Sequence, residues 1–488
     1  MERNSIMSKF NSRTPERPDN FDTTNKSGLA AYSYSDKEKL TFMVLTSMFN
    51  EDKYYGDNSN ELIELAERFA KTDPEYLMKL TCYARNVANL RSVSHALTAV
   101  IARHAHEYTR RTIRNVIVRP DDILEIMSCF KDFYDTNFPN AMKREIGDCM
   151  NHIDEHAFAK YNSTNRNIRF KNVLQIVHPK PADEKQDKIF NKIMNDKLDI
   201  PYTWETELSA RGNNKEVWND LLYSDKLGYM ATLRNLHNIY KSGADIDYAL
   251  EHIENEDAVR KSKQLPFRFL SAYRTLKSRG ECTYEMQQSL NRALVHSIDS
   301  LPRLKGNTFI AIDNSGSMDM HLTEKGSITC YDIGCTIGML ANKICEHADV
   351  VLFNNDATPL EYDKSKSILA NIDNMPCACG GTNLGAAFGY MLNTDTVYDR
   401  VIVISDNEVN VSWDNKPNCI GYIDAYRRKK NRNLWVHGID IVGYGTTQFR
   451  GNRVNLISGW NDNVLSFIDL AERGISNLVS EIENYKVN

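Results

Sequence analysis

The sequence lacks the segments that would direct a chain into a membrane. No apolar run approaches the roughly 18 residues of a spanning helix, and the polar segment Met1–Asn25 contains no signal-peptide core. The ten cysteines include no C-x-x-C pair and no zinc-type spacing. Cys377 and Cys379 lie too close together for an ordinary disulfide. We therefore expect a soluble cytoplasmic protein with reduced thiols and no membrane partner.

Motifs of the common enzyme classes are also missing. The sequence has no G-x-x-x-x-G-K-[ST] phosphate loop, no dinucleotide fingerprint after a strand, no G-x-S-x-G elbow and no H-E-x-x-H zinc motif. The net charge of −5 gives no whole-chain preference for nucleic acid, so any basic surface must be local. We expect a binding protein and not an enzyme.

The pattern of apolar residues divides the chain into two folded regions. With 488 residues, of which 41% are hydrophobic, the chain is long enough for two or three domains. Short amphipathic helices follow one another from about Asp36 to Ser300, which is typical of an irregular α-solenoid. From Leu304 short apolar strands alternate with helices, which predicts a doubly wound parallel sheet. We predict a flexible N-terminal segment over residues 1–30, an α-helical repeat domain over 31–303 and an α/β domain over 304–488.

The elements of the second region can be placed individually. Four apolar runs predict strands at Thr308–Ile312, Val350–Phe353, Val401–Ile404 and Leu434–Ile439. The amphipathic stretches between and after them predict helices at Cys335–Glu346, Leu384–Leu392, Ile423–Lys430 and Val464–Val479.

Hydroxyl and carboxylate oxygens lie in three loops, each at the end of a predicted strand or the start of a predicted helix. The first strand ends in Asp313-Asn-Ser315-Gly-Ser317, a glycine pair precedes Thr382, and the third strand is followed by Asp406. A parallel sheet gathers such loops at one edge, where ligands bind. Hard oxygen ligands favour Mg²⁺, with Mn²⁺ or Ca²⁺ as alternatives. The alternatives are a serine-rich turn that caps the next helix, or an intact site that only stabilises the loops.

One segment of the helical region is basic. Between His156 and Ala182 there is no Asp or Glu, whereas five cations occur, namely Lys160, Arg166, Arg169, Lys171 and Lys180. Such a surface favours phosphates through counterion release, and Tyr161 or Phe170 would offer a ring for an unpaired base. The segment taken alone also fits a solvated polar loop. Likewise, His178 alone fits a capping residue before a proline.

Together these patterns resemble a known family. Asp313, Ser315, Ser317, Thr382 and Asp406 match the metal-ion-dependent adhesion site of von Willebrand factor A domains. Several helical segments are similar to the TROVE module of Ro 60-kDa autoantigen proteins, namely Lys171–Pro181, Lys215–Leu222, Thr232–Leu236 and Leu265–Tyr273. The resemblance extends from about Asp36 onwards and is weakest before Met142, where the family's glycine-rich basic segment appears only as Phe138–Ile146.

The resemblance implies an architecture and a function. Ro proteins form a HEAT-like helical ring closed by the A domain. They bind small structured noncoding (Y) RNAs, admit single-stranded 3′ ends of misfolded RNAs, and act in RNA quality control without catalysis. His178 matches a histidine of their RNA surface, and Lys143 and Arg144 are further candidates, although they also fit an ordinary helix surface. In the family the serines and threonine contact the metal, while the aspartates orient hydroxyls and waters.

The expected partners follow from that resemblance, and two rival functions remain open. We expect a monomer that binds RNA but not DNA, with an exoribonuclease or another protein recruited through the A domain. One rival is a metal-dependent protein-interaction scaffold that binds no RNA. The other is a metal-dependent nuclease, which the hydroxyl-rich motif disfavours because it supplies no second metal and no general base.

Overall fold

The computed structural model describes residues 21–46, 52–162, 166–224, 226–299, 301–321, 328–363, 365–410, 419–460, 463–474 and 477–488. The first described elements are two strands, β1 (Thr23–Thr24) and β2 (Ala30–Ser33). The helical region then contains, within the described residues, α1 (Asp36–Leu45), α2 (Asp52–Thr72), α3 (Pro74–Asn86), α4 (Arg91–His104), α5 (His106–Val116), α6 (Pro120–Tyr134), α7 (Asn140–Met150), α8 (Glu155–Tyr161), α9 (Phe170–Val177), α10 (Glu184–Met194), α11 (Trp204–Arg211), α12 (Lys215–Tyr223), α13 (Tyr229–Lys241), α14 (Ile246–Glu254), α15 (Glu256–Ser262), α16 (Phe267–Ser278) and α17 (Tyr284–His296).

Polar side chains determine where many of these helices begin. Ser35 and Glu38 form a capping box at the start of α1. Asp73 accepts a hydrogen bond from the Tyr76 N–H, and a proline occupies the first position of α3. Each helix then buries an apolar face on its neighbours: α3 packs on α4 and α5, and α13 packs on α14 and α16. The result is the irregular helical repeat that the sequence predicts.

The α/β domain begins at Leu304. Its elements, within the described residues, are β3 (Leu304–Asp313), a 3₁₀ turn (Gly316–Asp319), α18 (Cys330–Ile344), β4 (Cys345–Phe353), β5 (Ala357–Pro359), α19 (Ile368–Asp373), α20 (Leu384–Asn393), β6 (Arg400–Ser405), α21 (Cys419–Lys429), β7 (Trp435–Asp440), β8 (Thr446–Thr447), β9 (Val454–Ser458), α22 (Asn463–Glu472) and α23 (Leu478–Glu483). Among the helices that the structure describes, none is both long and apolar enough to span a bilayer.

Six strands form one sheet in the order β5–β4–β3–β6–β7–β9. The pairs within β4–β3–β6–β7–β9 are parallel, with Ile310 opposite Val350 on one side and Ile402 on the other. The apolar runs of β3 and β6 are buried on both faces because helices cover them. The α/β fold class and its four predicted strands are confirmed.

Several details of the sheet domain differ from the sequence-based expectation. The edge strand β5 is antiparallel and has only three residues, and β9 is a sixth strand that was not predicted. The predicted helix Cys335–Glu346 starts earlier, because Thr329 and Asp332 form a capping box, and Cys345 already belongs to β4. The predicted closing helix is two helices, α22 and α23, and Gly474 between them has a φ of +67°.

The N-terminal segment predicted to be flexible over residues 1–30 is partly structured. Residues 1–20 lie outside the described residues, but β1 pairs with β2, and β2 pairs with β8 of the α/β domain. The side chain of Asn25 also donates a hydrogen bond to the Val409 carbonyl, at 2.6 Å. Thr23–Ala30 is therefore not an isolated stretch, because β1 pairs with β2, whose Tyr32 and Ser33 pair with β8.

The α/β domain contacts both ends of the helical region. At one end α1 and α3 pack on α23, and the ammonium groups of Lys37 and Lys79 bind the side chain and the carbonyl of Glu483 at 2.9 and 2.7 Å. At the other end α16 packs on α18 and α17 on α19, and Arg274 pairs with Asp332. The α/β domain thereby closes the circuit of helices, as the family resemblance implies.

Candidate metal centre and nucleic-acid surface

The carboxyl ends of β3 and β6 bring the predicted metal residues together. Asp313 is the last residue of β3, Ser315 and Ser317 follow in the turn, and Asp406 follows directly after β6. The hydroxyl oxygens of Ser315 and Ser317 are 3.1 Å apart. Thr382 lies in the loop before α20, which is tied to the serine turn because the Gly316 N–H donates to the Gly380 carbonyl at 3.0 Å. All five residues therefore belong to one site.

The site is buried on one side and open on the other. Asp313, Ser315, Thr382 and Asp406 have no exposed surface, whereas Ser317 is exposed. Two buried oxygens of this site, Thr382 Oγ1 and Asp406 Oδ2, have no hydrogen-bond partner among the described residues. Buried polar atoms nearly always have a partner, so two buried oxygens without one fit a site for a cation. Ser317 marks the side from which a further ligand has access.

The carboxylates of the site are held in an environment that penalises negative charge. Burial, and next to it the neighbouring charge of Asp406, raise the pKa of Asp313 to about 7. Burial likewise raises the pKa of Asp406, against a hydrogen bond from the Glu408 N–H. Burial and the charge of Asp406 raise the pKa of Glu408 to about 7. A divalent cation would offset this concentration of carboxylates.

Two further residues position the site and were not assigned from the sequence. The Ser405 hydroxyl donates to Asp313 Oδ2 at 2.6 Å, which fixes that carboxylate. The Asn410 side-chain oxygen accepts from the Thr382 N–H at 2.7 Å, and the Asn410 backbone N–H donates to the Thr382 carbonyl. Ser405 has a sequence signal, since it ends a strand next to Asp406. Asn410 has none, because its partner is 28 residues away.

The predicted RNA surface is divided by the fold. His178 is exposed and ends α9 with a φ of +49°, and Lys180 is exposed two residues later. This turn lies on α7, because the Asn151 side chain donates to the Lys180 carbonyl at 3.0 Å and Gly147 approaches Pro179.

Lys143 and Arg144 lie one turn before Gly147 on α7, and Arg144 is exposed. Two groups of residues that the sequence suggested separately therefore form one surface, which we call the His178 surface: Lys143, Arg144, His178 and Lys180.

Other predicted RNA residues already have partners within the protein. Arg166 pairs with Glu125, while Arg169 and Lys171 share Asp196 at 3.2 and 2.6 Å. Charges that are neutralised in this way attract phosphate less. Lys160 is exposed, and its ammonium lies 5.6 Å from the centre of the Tyr161 ring.

The two rings proposed for base stacking have different surroundings. Phe170 is fully buried and packs edge-on against Phe158 at 4.9 Å, so the prediction that it stacks on a base is wrong. The sequence does not indicate whether a single aromatic residue in a polar segment faces the core or the solvent. Tyr161 is half-buried, and the guanidinium of Arg119 covers it at 4.8 Å.

Comparison with known proteins places this geometry in a family. The TROVE domain model matches residues 38–196 and 192–300, and the Ro60 vWA domain model matches residues 307–450. The crystal structure of the Deinococcus radiodurans RO (RSR) protein is similar, with a TM-score of 0.61 and 15% sequence identity, over 91% of this chain and 100% of that one. This likeness concerns the fold.

Two curated proteins share part of the sequence. Telomerase protein component 1 of Mus musculus is 24% identical over 43% of this chain, and that of Rattus norvegicus is 24% identical over 44%. The match spans only 11% of the length of each of these relatives. The TROVE match extends over more than half of this chain, and the Ro60 vWA match follows it directly. The chain belongs to the Ro60 family of TROVE-domain proteins.

Proposed function

We propose that this protein binds small structured noncoding RNAs through the His178 surface and acts as a scaffold in RNA quality control. Family membership supports RNA as the ligand, since Ro60 proteins are RNA-binding proteins. The observation that carries the proposal is the convergence of α7 and the turn after α9, which brings four cationic or titratable side chains to one exposed surface. Single-stranded 3′ ends of misfolded RNAs are the second ligand, and the closed helical circuit is where they enter.

The proposed recognition is electrostatic. The lysines and the arginine of the His178 surface bind phosphate oxygens, and His178 adds an imidazole donor for a phosphate or a 2′-hydroxyl. Each neutralised phosphate releases counterions, so RNA affinity must fall steeply as the salt concentration rises. Binding to this surface follows RNA shape more than base sequence, because its side chains are proposed to bind phosphates and 2′-hydroxyls.

The double variant His178→Ala/Lys180→Ala tests the RNA surface. We expect about tenfold weaker binding of a structured RNA in a fluorescence anisotropy titration, since two phosphate contacts are lost. Lys171→Ala is the matched control and should leave the affinity nearly unchanged, because Lys171 is paired with Asp196. Equal affinity of the wild type and the double variant, or binding that salt does not weaken, would contradict the proposal.

We also propose that the five-residue centre holds a divalent cation, with Mg²⁺ preferred. Ser315, Ser317 and Thr382 would supply oxygens to it, while Asp313 orients Ser315 by accepting the Ser315 N–H at 2.9 Å. The cation supplies positive charge beside the buried carboxylates and a position for an acidic group from another protein. Ser317 is the exposed residue of the centre, so a partner such as an exoribonuclease has access to the cation at this edge of the sheet.

Direct metal binding tests the centre. Wild-type protein should remove free Mn²⁺ from solution, measured as a decrease of its electron paramagnetic resonance signal, and Asp313→Ala should not. Asp319→Ala is the matched control, since Asp319 is exposed in the same turn but lies outside the motif. Because the two sites are separate, Asp313→Ala should retain RNA affinity. Undiminished Mn²⁺ binding by Asp313→Ala would refute the assignment.

The proposed role involves no catalytic step. The centre offers hydroxyls and buried carboxylates for one cation, and RNA capture at the His178 surface needs no bond cleavage. A structured RNA incubated with the protein and Mg²⁺ should stay intact on a denaturing gel. Cleavage that Asp313→Ala abolishes would favour a nuclease instead. RNA that copurifies with the native protein, detected by its absorbance at 260 nm, would support the proposed function. Its absence would favour a scaffold that binds only proteins.

A further inference from the structure

A loop of the N-terminal segment, Asn25–Leu29, forms one wall of the metal centre. It lies against Glu408 and Val409, which follow the metal residue Asp406. The Asn25 side chain donates to the Val409 carbonyl at 2.6 Å. The next two residues of the loop donate to the Glu408 carboxylate at 3.3 Å, one through its backbone N–H and the other through its hydroxyl. These contacts join parts of the chain that are 381 to 384 residues apart, so the wall depends on the tertiary fold.

Lys26 of this loop places a positive charge at the open side of the centre. Its ammonium lies 4.1 Å from the centre of the Tyr444 ring. The Tyr444 hydroxyl donates to the sulfur of Met320 at 3.8 Å, and Met320 directly follows the 3₁₀ turn that carries Ser317. Lys26 and Ser317 are both exposed. Within the described part of the chain the ammonium has this aromatic contact but no ion pair, so it can bind an anion from outside.

The charge of Lys26 acts on the carboxylates of the centre. Burial raises the pKa of Asp406, and the ammonium of Lys26 is one of the groups that oppose this rise. Burial and then the charge of Asp406 raise the pKa of Glu408, and Lys26 opposes that rise as well. One divalent cation offsets only two of the three negative charges that Asp313, Asp406 and Glu408 can carry. Lys26 supplies a further positive charge on the side from which a ligand has access.

We infer that Lys26 is a specificity-determining residue of the metal centre, and that the partner bound there presents two neighbouring carboxylates, one to the cation and one to Lys26. The inference rests on the proposed cation site and deepens it by naming the chemistry of the partner. The cation itself binds one carboxylate. A second carboxylate beside the first would be repelled by the negative charge that remains at the centre, unless Lys26 pairs with it. The ligand is therefore an acidic segment of another protein.

Two small peptides test this site by nuclear magnetic resonance. One is N-acetyl-Asp-Asp-amide, with two neighbouring carboxylates, and the other is N-acetyl-Asp-Asn-amide, with one. Mn²⁺ bound to the protein broadens the lines of a peptide that reaches it, so the broadening measured against peptide concentration gives a Kd. Wild-type protein should bind the first peptide more tightly. Lys26→Ala should weaken binding of the first peptide about three- to fivefold, the range of an exposed ion pair, and that of the second by less than twofold.

Two further variants serve as controls. Lys26→Ala keeps the backbone N–H that binds Glu408, so the loop stays in place. Lys26→Arg retains the positive charge and should restore the preference for the first peptide. Lys305→Ala removes an exposed lysine at the opposite end of β3 and should change neither affinity.

Retention of Mn²⁺, measured by electron paramagnetic resonance, separates failure of this inference from failure of the proposed centre. Wild-type protein and Lys26→Ala should both retain Mn²⁺. If Lys26→Ala binds the first peptide as tightly as wild type does, or if neither peptide reaches the bound Mn²⁺, the inference is overturned and the cation site stands. If Lys26→Ala loses Mn²⁺, Lys26 maintains the centre itself, which also overturns the inference. If wild-type protein retains no Mn²⁺, the proposed centre fails, and the inference with it.

Discussion

Gly147 allows α7 to approach the turn that presents His178. A Cβ atom at this position would lie 3.3 Å from both Pro179 Cβ and Val177 Cγ1, which is tighter than an ordinary contact. His178 has a left-handed backbone conformation, which residues other than glycine rarely adopt unless surrounding contacts stabilise it. Close packing on α7 supplies that support.

Gly147→Val should therefore displace the turn and impair RNA binding without touching a charged residue. We expect a several-fold loss of affinity for a structured RNA and a decrease in unfolding free energy of about 1–3 kcal/mol from overpacking. Gly421→Val is the control, since nothing lies within 4 Å of the added Cβ in α21. Unchanged affinity in a folded Gly147→Val protein would show that the position of the turn is not critical.

The sequence indicates which residues form each site. It does not indicate which of them are already paired within the protein and which can bind a ligand. The five residues of the metal centre could be predicted to lie together, because each follows a strand or precedes a helix of the same α/β domain. They are Asp313, Ser315, Ser317, Thr382 and Asp406. The ion pairs of Arg166, Arg169 and Lys171 could not be predicted, because their partners Glu125 and Asp196 are 25 to 41 residues away in the sequence. Ion pairing across helices depends on packing that no local pattern encodes.

At the scale of elements, one buried network joins α22 to the sheet. Glu472 of α22 accepts from Arg400 of β6 at 2.6 Å and lies 3.1 Å from Nε2 of His437 on β7. Burial acts to raise the pKa of Glu472, but the hydrogen bonds from His437 and Arg400 outweigh it and lower the pKa to about 2. Burial also lowers the pKa of His437, so its imidazole is neutral. The network holds a helix that hydrophobic contacts alone would leave less well fixed.

Glu472→Gln should destabilise the protein by about 2–3 kcal/mol at pH 7, the free energy that corresponds to the lowered pKa. A carboxylate with a lowered folded-state pKa stabilises the protein fully above its unfolded value of about 4.3. That stabilisation is lost as pH falls from there towards 2. The difference between wild type and variant in urea unfolding should therefore be constant from pH 7 to 5 and shrink below pH 4. A constant difference at all pH values would contradict this assignment.

Element prediction succeeded where the sequence is uniformly apolar and failed where it is not. Val401–Ile404 could only be a buried strand, whereas β5 consists of Ala-Thr-Pro and β9 contains a polar Asn455. Asn455 is tolerated in β9 because its side chain donates to the Phe467 carbonyl at 3.0 Å. Tertiary hydrogen bonds of this kind override local propensity.

At the scale of the whole molecule, Trp460 lies where an early and a late part of the helical region meet the α/β domain. Trp460 is buried, donates its indole N–H to the Ile441 carbonyl at 2.8 Å, and lies beside a small cavity. The same cavity is lined by Leu45 and Tyr83 from early helices and by Leu265 from just before α16. One side chain thus contributes to the closure of the whole circuit.

Trp460→Ala should loosen that closure. Removing a buried tryptophan costs about 3–5 kcal/mol in unfolding free energy, and the loss here falls where three parts of the chain meet. We expect a lower melting temperature and a larger radius of gyration by small-angle X-ray scattering. Trp435→Ala is the comparison, because Trp435 is only half-buried and stacks over His437 within the sheet domain. The Trp435→Ala variant should leave the radius of gyration unchanged. An equal increase of the radius of gyration in both variants would show that Trp460 has no special role in closing the circuit.

The pairing of β2 with β8 has a consequence for how the chain is made. Tyr32 is opposite Thr447, and the Tyr34 hydroxyl meets Asp440, 406 residues further along the chain. During translation those early residues have no partner until almost the entire α/β domain has left the ribosome. At about 5–20 residues per second, that interval lasts tens of seconds, during which the early helices lack their final neighbours. The circuit can therefore close only after synthesis has passed residue 447.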